Sequence, residues 1–364
     1  MPARPVRSPV ESGSASDPVD RLLRSVQGLP AWVGRPVAVS MIETHWSWVY
    51  FADGQAFKRK KPVRRPEQDL SVPAARLAAC REEVRLNARL APDVYLGVIA
   101  VGPGGRLECV PDEAVAQPGP AIEWLVWMRR LPAVRMLDRR IAAGRVRPGD
   151  LDALVAMLVA FYRSAALPCP DGAAYLTGFE RELTEAHRLL AAPDGLVPGA
   201  AEVIRRTGEA LREGRAALLE RIARQGLVDG HGDLRPEHVC LLRPPAVIDC
   251  LDFSAGLRRM DPFDELAFLT LECDRLGARW VGLRVLDGCA VELGAPPSAL
   301  LHLYTALRAV VRARLAIGHR LDPRPRTPWR WPLQAADYLR RAGAALDALA
   351  RGEPFSVPPP GRSR

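Results

Sequence analysis

His231-Gly232-Asp233-Leu234-Arg235-Pro236-Glu237-His238 decides the reading of this 364-residue chain. It sets one carboxylate, Asp233, behind a glycine and ahead of a guanidinium and an imidazole. Val247-Ile248-Asp249 follows, an apolar run ending on a second carboxylate. Next comes Asp261-Pro262-Phe263-Asp264-Glu265-Leu266-Ala267, where an acidic cap and a proline announce a helix. Carboxylates so placed serve as proton acceptors and as hard-oxygen metal ligands. A His-Gly-Asp tripeptide alone is common, and the plain alternative for Asp233 is a turn carboxylate capping its own loop. The information lies in its combination with Asp249 and the Asp261/Asp264 pair.

Working outward, the residues before this stretch read as β. Val37 to Ile42 and Trp46 to Phe51 are apolar runs, Asp53-Gly54 is a hairpin turn signal, and Gln55 to Lys60 returns. A helix is expected from about Ala74 to Leu90, stopped by Pro92. Val94 to Val101 and Ala121 to Met128 read as two more strands, joined by a Gly/Pro-rich loop over 102–120. Beyond Met128 the spacing turns helical over 149–165, 173–191, 199–225, 262–276, 298–319 and 332–351. One short strand pair, about Val239 to Leu242 and Ala246 to Asp249, interrupts them. The expected class is α+β and bilobal. Residues 1–20 read as a disordered leader and 36–128 as a small β-rich N-lobe with a five-stranded sheet and one helix. Residues 129–351 read as a large helical C-lobe with a loop at 231–238 and a strand at 246–249, and 352–364 as a disordered tail.

The 51 basic side chains exceed the 42 acidic ones, for a net charge of +9, but only three are lysine. All three, Lys58, Lys60 and Lys61, share one four-residue window. Arginine's fork and lysine's compact ammonium are not interchangeable, so this window is a candidate for chemistry. The arginines are dispersed without an interleaved aromatic stripe, and nucleic acid is not an expected partner. No apolar run reaches the roughly 18 residues of a membrane span, and the first 20 residues lack a signal-peptide core. Seven cysteines without a CxxC pair argue for a reducing compartment, taken as cytoplasm, and against a zinc finger.

The spacing of the HGD stretch, Asp249 and the Asp261 helix start resembles the aminoglycoside phosphotransferase/choline kinase superfamily. Its proteins have the protein-kinase-like bilobal fold. The likeness covers roughly residues 36 to 350. It is greatest to a bacterial aminoglycoside-phosphotransferase-like subgroup often fused to a P-loop ATPase domain. No GxxxxGK[ST] occurs in these 364 residues, so the resemblance suggests a separately encoded ATPase partner. It implies ATP and Mg²⁺, with Mn²⁺ as the alternative metal, and a small-molecule acceptor. By resemblance Asp233 orients the acceptor hydroxyl and takes its proton, with Arg235 in the same loop and His231 helping to hold it. Asp264 is expected to accept hydrogen bonds from that loop, and Asp249 to hold the metal. Ala56-Phe57-Lys58 resembles the A-x-K of the third kinase strand, where lysine pairs with phosphates and a helix glutamate. Glu83, rather than Glu82, is the expected partner. Lys60 shares the face of Lys58 and remains the alternative, as does a solvated basic strand end.

Three departures from the pattern stand out. The family's asparagine is His238 here. It could serve a Mn²⁺-tolerant second metal site, leave that site empty and bond a phosphate, or mark weakened or lost activity. The expected phosphate loop, Glu43-Thr44-His45-Trp46-Ser47, lacks glycine, leaving the Thr44 and Ser47 hydroxyls and amides as candidates against a plain turn. Only eleven residues separate Asp249 from Asp261, with no APE motif, which favours a small acceptor over a protein. Glu123-Trp124-Leu125 is expected at the hinge, with backbone groups of Glu123 and Leu125 reading adenine. Tyr304, Arg308, Arg312 and His319 on a late helix could wall an acceptor pocket. Acidic candidates for a cationic acceptor are Asp252, Asp261, Glu265, Glu272 and Asp274. The sequence reading is thus an ATP-dependent phosphotransferase to a hydroxyl. A nucleotide-binding pseudokinase without phosphoryl transfer is the alternative.

Overall fold

The computed structural model describes residues 39–52, 54–64, 68–102, 107–110, 123–191, 197–321 and 327–356. The expected leader and the end of the expected tail lie outside them. The chain forms two compact units, one made by residues up to Ala133 together with Ala246–Ser254, the other by Val134–Pro245 and the residues from Ala255 on.

The first unit is built on an antiparallel sheet. Its strands are β1 Ser40–Glu43, β2 Ser47–Ala52, β3 Gln55–Lys60, β4 Tyr95–Val101, β5 Leu107–Val110 and β6 Glu123–Arg129, in the order β1-β2-β3-β6-β4-β5. Among the described residues the sheet thus has six strands, not the expected five, because β5 sits inside the Gly/Pro-rich connection. Strand alternation sorts the side chains onto two faces. Ala56, Val98, Ala100, Trp124, Val126 and Met128 pack on one face with Cys80, Leu77 and Val84 of helix α1 (Pro73–Asn87). Tyr50, Phe57, Ile99, Val101 and Leu125 fill the other. Each fully buried aliphatic or aromatic side chain contributes roughly 1.5–3 kcal/mol, so the first face holds α1 firmly over the sheet.

The segment carrying Asp249 belongs to this first unit rather than to the helical part expected from its sequence position. Hydrogen bonds explain the assignment. Val247 N–H donates to Leu90 O at 3.2 Å, Asp249 N–H to the Tyr95 hydroxyl at 3.2 Å, and Cys250 N–H to Asn87 Oδ1 at 2.9 Å.

The second unit is mostly helical: α2 Leu137–Ala142, α3 Pro148–Ser164, α4 Gly172–Leu190, α5 Ala200–Gln225, α6 Ala255–Arg258, α7 Pro262–Arg275, α8 Arg279–Leu293, α9 Ser298–Gly318 and α10 Arg330–Ala350. A two-stranded ladder, Val228–Asp229 with Arg259–Met260, flanks the HGD loop. Helix α8 escapes the sequence pattern because Gly282 and Gly288 lower its apparent propensity. Their role is close packing. A Cβ on Gly282 would lie 2.4 Å from Thr270 Cα, and one on Gly288 would lie 2.8 Å from Val155 Cγ2. Where a tail was expected from residue 352, Phe355 is buried against the His302 ring, and its N–H donates to Ser298 Oγ at 3.1 Å.

Candidate active site

In the first unit, β3 points Lys58 and Lys60 toward α1, as strand alternation predicts. Lys58 Nζ lies 2.7 Å from Asp249 Oδ1 and 2.9 Å from Glu83 Oε1. Lys60 Nζ lies 2.7 Å from Glu83 Oε2 and also pairs with Asp252. Glu83 is therefore shared, one oxygen to each lysine. Burial pushes the Glu83 carboxyl up, but the Lys58 and Lys60 ammoniums outweigh it and hold it below the usual carboxylate range. Burial pulls Lys58 down, and Asp249 and Glu83 reverse this, so it stays charged well above its ordinary value. Glu82 pairs instead with Arg85, at 2.7 Å on the exposed side of the helix.

Asp249 has φ +63°, the left-handed region that a side chain other than glycine enters at a cost. Such outliers persist where neighbouring structure over-determines them, and they cluster at functional sites. Its carboxylate is half exposed, whereas Glu83 is 1% exposed. Asp249 thus has the hard-oxygen chemistry and the solvent access that Mg²⁺ requires. Among the described residues no three His, Cys, Asp or Glu side chains converge as a metal cage. One protein carboxylate with phosphates and waters is an ordinary Mg²⁺ environment.

In the second unit, Asp233 Oδ2 lies 2.8 Å from Arg235 Nη2 and 3.7 Å from His238 Nδ1. Burial raises the Asp233 carboxyl, and Arg235 and His238, with help from Arg312 and His231, bring it below the usual range. His238 Nδ1 is 2.9 Å from the Asp233 carbonyl oxygen, which can only accept. Nδ1 therefore carries the proton. The Nε2 lone pair is 3.1 Å from Arg235 Nη2, which donates to it. This assigned tautomer leaves the ring poorly suited to a second metal ion, because its one lone pair already faces a cation.

The buried His231 ring accepts from Asp233 N–H at 3.3 Å, as its expected loop-holding part requires. The second support differs from expectation. Glu265, not Asp264, accepts from the loop, through Gly232 N–H at 2.6 Å and His231 N–H at 3.3 Å. Tyr162 donates to Glu265 at 2.8 Å. Asp264 instead accepts from Tyr175 at 2.8 Å and pairs with Arg308.

Other candidates fall into structural roles. Glu123 and Leu125 lie inside β6, whose backbone pairs with β3 and β4 on either side, and not in a connecting segment. The Glu123 side chain is buried between Arg59, at 3.1 Å, and Arg76, at 2.8 Å. Thr44 Oγ1 accepts Ser47 N–H at 3.0 Å and donates to Ser47 O at 3.0 Å, which closes the β1–β2 turn on itself. Tyr304 donates to Asp261 at 2.9 Å, and Arg308 is spent on Asp264. Arg312 contacts the Tyr338 hydroxyl at 3.3 Å, and the His319 ring lies 4.4 Å from the Trp331 ring. The five acidic candidates are all engaged: Asp252 by Lys60, Asp261 by Arg221, Glu265 by the loop amides, Glu272 by Arg275, and Asp274 by Arg341.

Sequence reasoning missed Asn87 and Tyr95, and gave Asp252 and Glu265 other roles. Asn87 follows Glu83 by one helical turn on the same buried face, a readable signal. Nothing in the strand pattern singles out the Tyr95 hydroxyl. Among the described residues, no helix is long and apolar enough to cross a membrane.

Searches of solved structures return proteins with this architecture. A choline/ethanolamine kinase family protein from Mesorhizobium loti superposes with a TM-score of 0.57, 15% identity, and coverage of 92% of this chain and 97% of that one. The aminoglycoside phosphotransferase APH(4)-Ia, in a ternary complex with AMP-PNP and hygromycin B, gives 0.51 and 11% over 93% of this chain and 99% of its own. The choline kinase LicA of Streptococcus pneumoniae gives 0.50 and 14% over 86% and 94%. The chain shares the protein-kinase-like fold of these solved structures. No protein-family model matches the sequence. Uncharacterized proteins of Mycobacterium tuberculosis and Mycobacterium bovis are 33% identical over 327 residues, 87% of this chain and 62% of theirs. The chain thus spans less than two thirds of the length of the curated relatives it matches.

Proposed function

We propose that the chain is an ATP-dependent kinase that phosphorylates a hydroxyl group of a small molecule. The observation that carries this reading is the Lys58–Glu83–Asp249 arrangement, with Asp249 held at φ +63° beside a charged lysine. A solvated basic strand end would not pair Lys58 with a glutamate that is 1% exposed. Lys58 supplies a cation for the ATP phosphates, and Glu83 orients it. Asp249 is the residue that would hold Mg²⁺, which supplies neutralisation of the phosphate charge. Asp233 orients the acceptor hydroxyl. As the hydroxyl oxygen forms its bond to the γ-phosphorus, Asp233 accepts the proton, and the bond to the departing ADP breaks with its electron pair. Arg235 keeps Asp233 ionised and ready to accept. Positioning and charge stabilisation dominate catalysis of this type. The fold's choline kinase and aminoglycoside phosphotransferase neighbours support a small acceptor. The pairing of all five acidic candidates favours a neutral or anionic acceptor over a polycationic one.

The test is a screen of alcohol-bearing metabolites for ADP release with wild type and Asp233→Ala. The variant is expected to bind ATP like wild type and to lose turnover by about 10²–10⁴-fold, the range for general-base catalysis. Full turnover in the variant would contradict the assignment. The His238–Arg235 bond favours a second reading, a nucleotide-binding pseudokinase. Wild type that binds ATP yet never consumes it with Mg²⁺ or Mn²⁺, while His238→Asn does, would support that reading.

A further inference from the structure

Lys60 is the lysine that the proposed mechanism does not use, yet it is the more buried of the two, at 5% exposure. Its ammonium is shared between Glu83 Oε2 and Asp252. Asp252 stands three residues after Asp249 on the same short segment. That segment is tied to α1 a second time. Cys250 N–H donates to Asn87 Oδ1 at 2.9 Å, and Asn87 Nδ2 donates to Glu83 O at 2.8 Å. A third contact stacks Phe253 on Trp46, with ring centroids 5.8 Å apart and 21° between planes. These ties, with the Asp249 N–H bond to the Tyr95 hydroxyl, hold residues 249–253, and the one made by Lys60 is charged on both sides.

We propose that Lys60 is a positioning residue: it clamps Asp252 to Glu83 and so fixes the segment on which Asp249 stands, leaving Lys58, still oriented by Glu83, free to turn from Asp249 to a nucleotide phosphate. A carboxylate buried without a partner is strongly destabilising. When Lys58 divides its charge between Glu83 and a phosphate, Lys60 still neutralises Glu83, and the helix keeps its place. One glutamate with two lysines thus separates the task of binding phosphate from the task of holding the metal carboxylate.

The inference rests on the kinase reading, and its test separates the two. AMP-PNP affinity is measured by calorimetry in EDTA and in excess Mg²⁺, on wild type, Lys60→Met and Lys58→Ala. Wild type should bind in both buffers, more tightly with Mg²⁺. Lys60→Met should keep the metal-free affinity and lose the Mg²⁺ enhancement by about 10–100-fold, the usual effect of removing a residue that orients a metal ligand. Lys58→Ala should instead lose affinity in both buffers. If Lys60→Met proves unfolded by circular dichroism, Asp252→Asn carries the test, since it loosens the same clamp and keeps the Lys60–Glu83 pair. A clamp variant with the wild-type Mg²⁺ enhancement overturns the proposal, as does equal loss in both buffers. No AMP-PNP binding by folded wild type overturns the kinase reading and this inference with it.

Discussion

At the scale of single residues, Asp249 combines a left-handed backbone, a half-exposed carboxylate and a lysine at 2.7 Å. Asparagine tolerates the same backbone region, so Asp249→Asn should fold normally and lose Mg²⁺-dependent nucleotide affinity. A β-branched residue does not tolerate it, and Asp249→Val should cost about 1–3 kcal/mol by denaturant unfolding. The paired charges also predict a pH profile. Glu83 sits below its unfolded value, so its stabilising contribution is present above the unfolded value of about 4.3 and is lost as pH falls through the lower folded value. Lys58 is raised, so its contribution is present below about 10.4 and is lost as pH rises through its folded value. Urea midpoints should therefore stay level, as far as these groups act, from about pH 5 to 10 and fall on both sides. Lys58→Met should flatten the alkaline limb.

At the scale of elements, strand β6 and the HGD loop show what sequence does and does not disclose. Alternation along β3 is legible in the sequence and puts Ala56, Lys58 and Lys60 on one face. The role of β6 is not. The sequence reads 121–128 as a strand and expects 123–125 at the hinge, but Leu125 pairs with both β3 and β4, and Glu123 and Trp124 pair with β4. Its glutamate then becomes the shared partner of Arg59 and Arg76, both distant in sequence. Glu123→Gln should destabilise the protein by about 3–5 kcal/mol, the cost of breaking a buried ion pair by removing one partner's charge, while the folded fraction keeps its ATP affinity. A loss of affinity without loss of stability would return Glu123 to the nucleotide site. The HGD loop was legible as a motif because its residues are contiguous. Its support was legible only to within one position: Asp264 and Glu265 are adjacent in sequence, and helix geometry turns them to different neighbours. Tyr162→Phe removes the hydroxyl held by Glu265 and should cost about 0.5–1.5 kcal/mol in stability.

At the scale of the whole molecule, the candidate residues divide between the two units. Lys58, Glu83 and Asp249 belong to the first, and Asp233, Arg235 and His238 to the second. Sequence order hid that division for Asp249, because its segment follows the HGD loop in the chain yet bonds to Asn87 and Tyr95. A ligand that binds only the folded protein stabilises it by mass action, about 2.7 kcal/mol at one hundred times its dissociation constant. Saturating AMP-PNP with Mg²⁺ should raise the melting midpoint of wild type and leave that of Lys58→Ala nearly unchanged. The most direct measurement is a calorimetric titration of ATP into wild type and Lys58→Ala, with Mg²⁺ and then with Mn²⁺. The account predicts metal-dependent binding by wild type that is lost in the variant. Absence of ATP binding by wild type with either metal would contradict it.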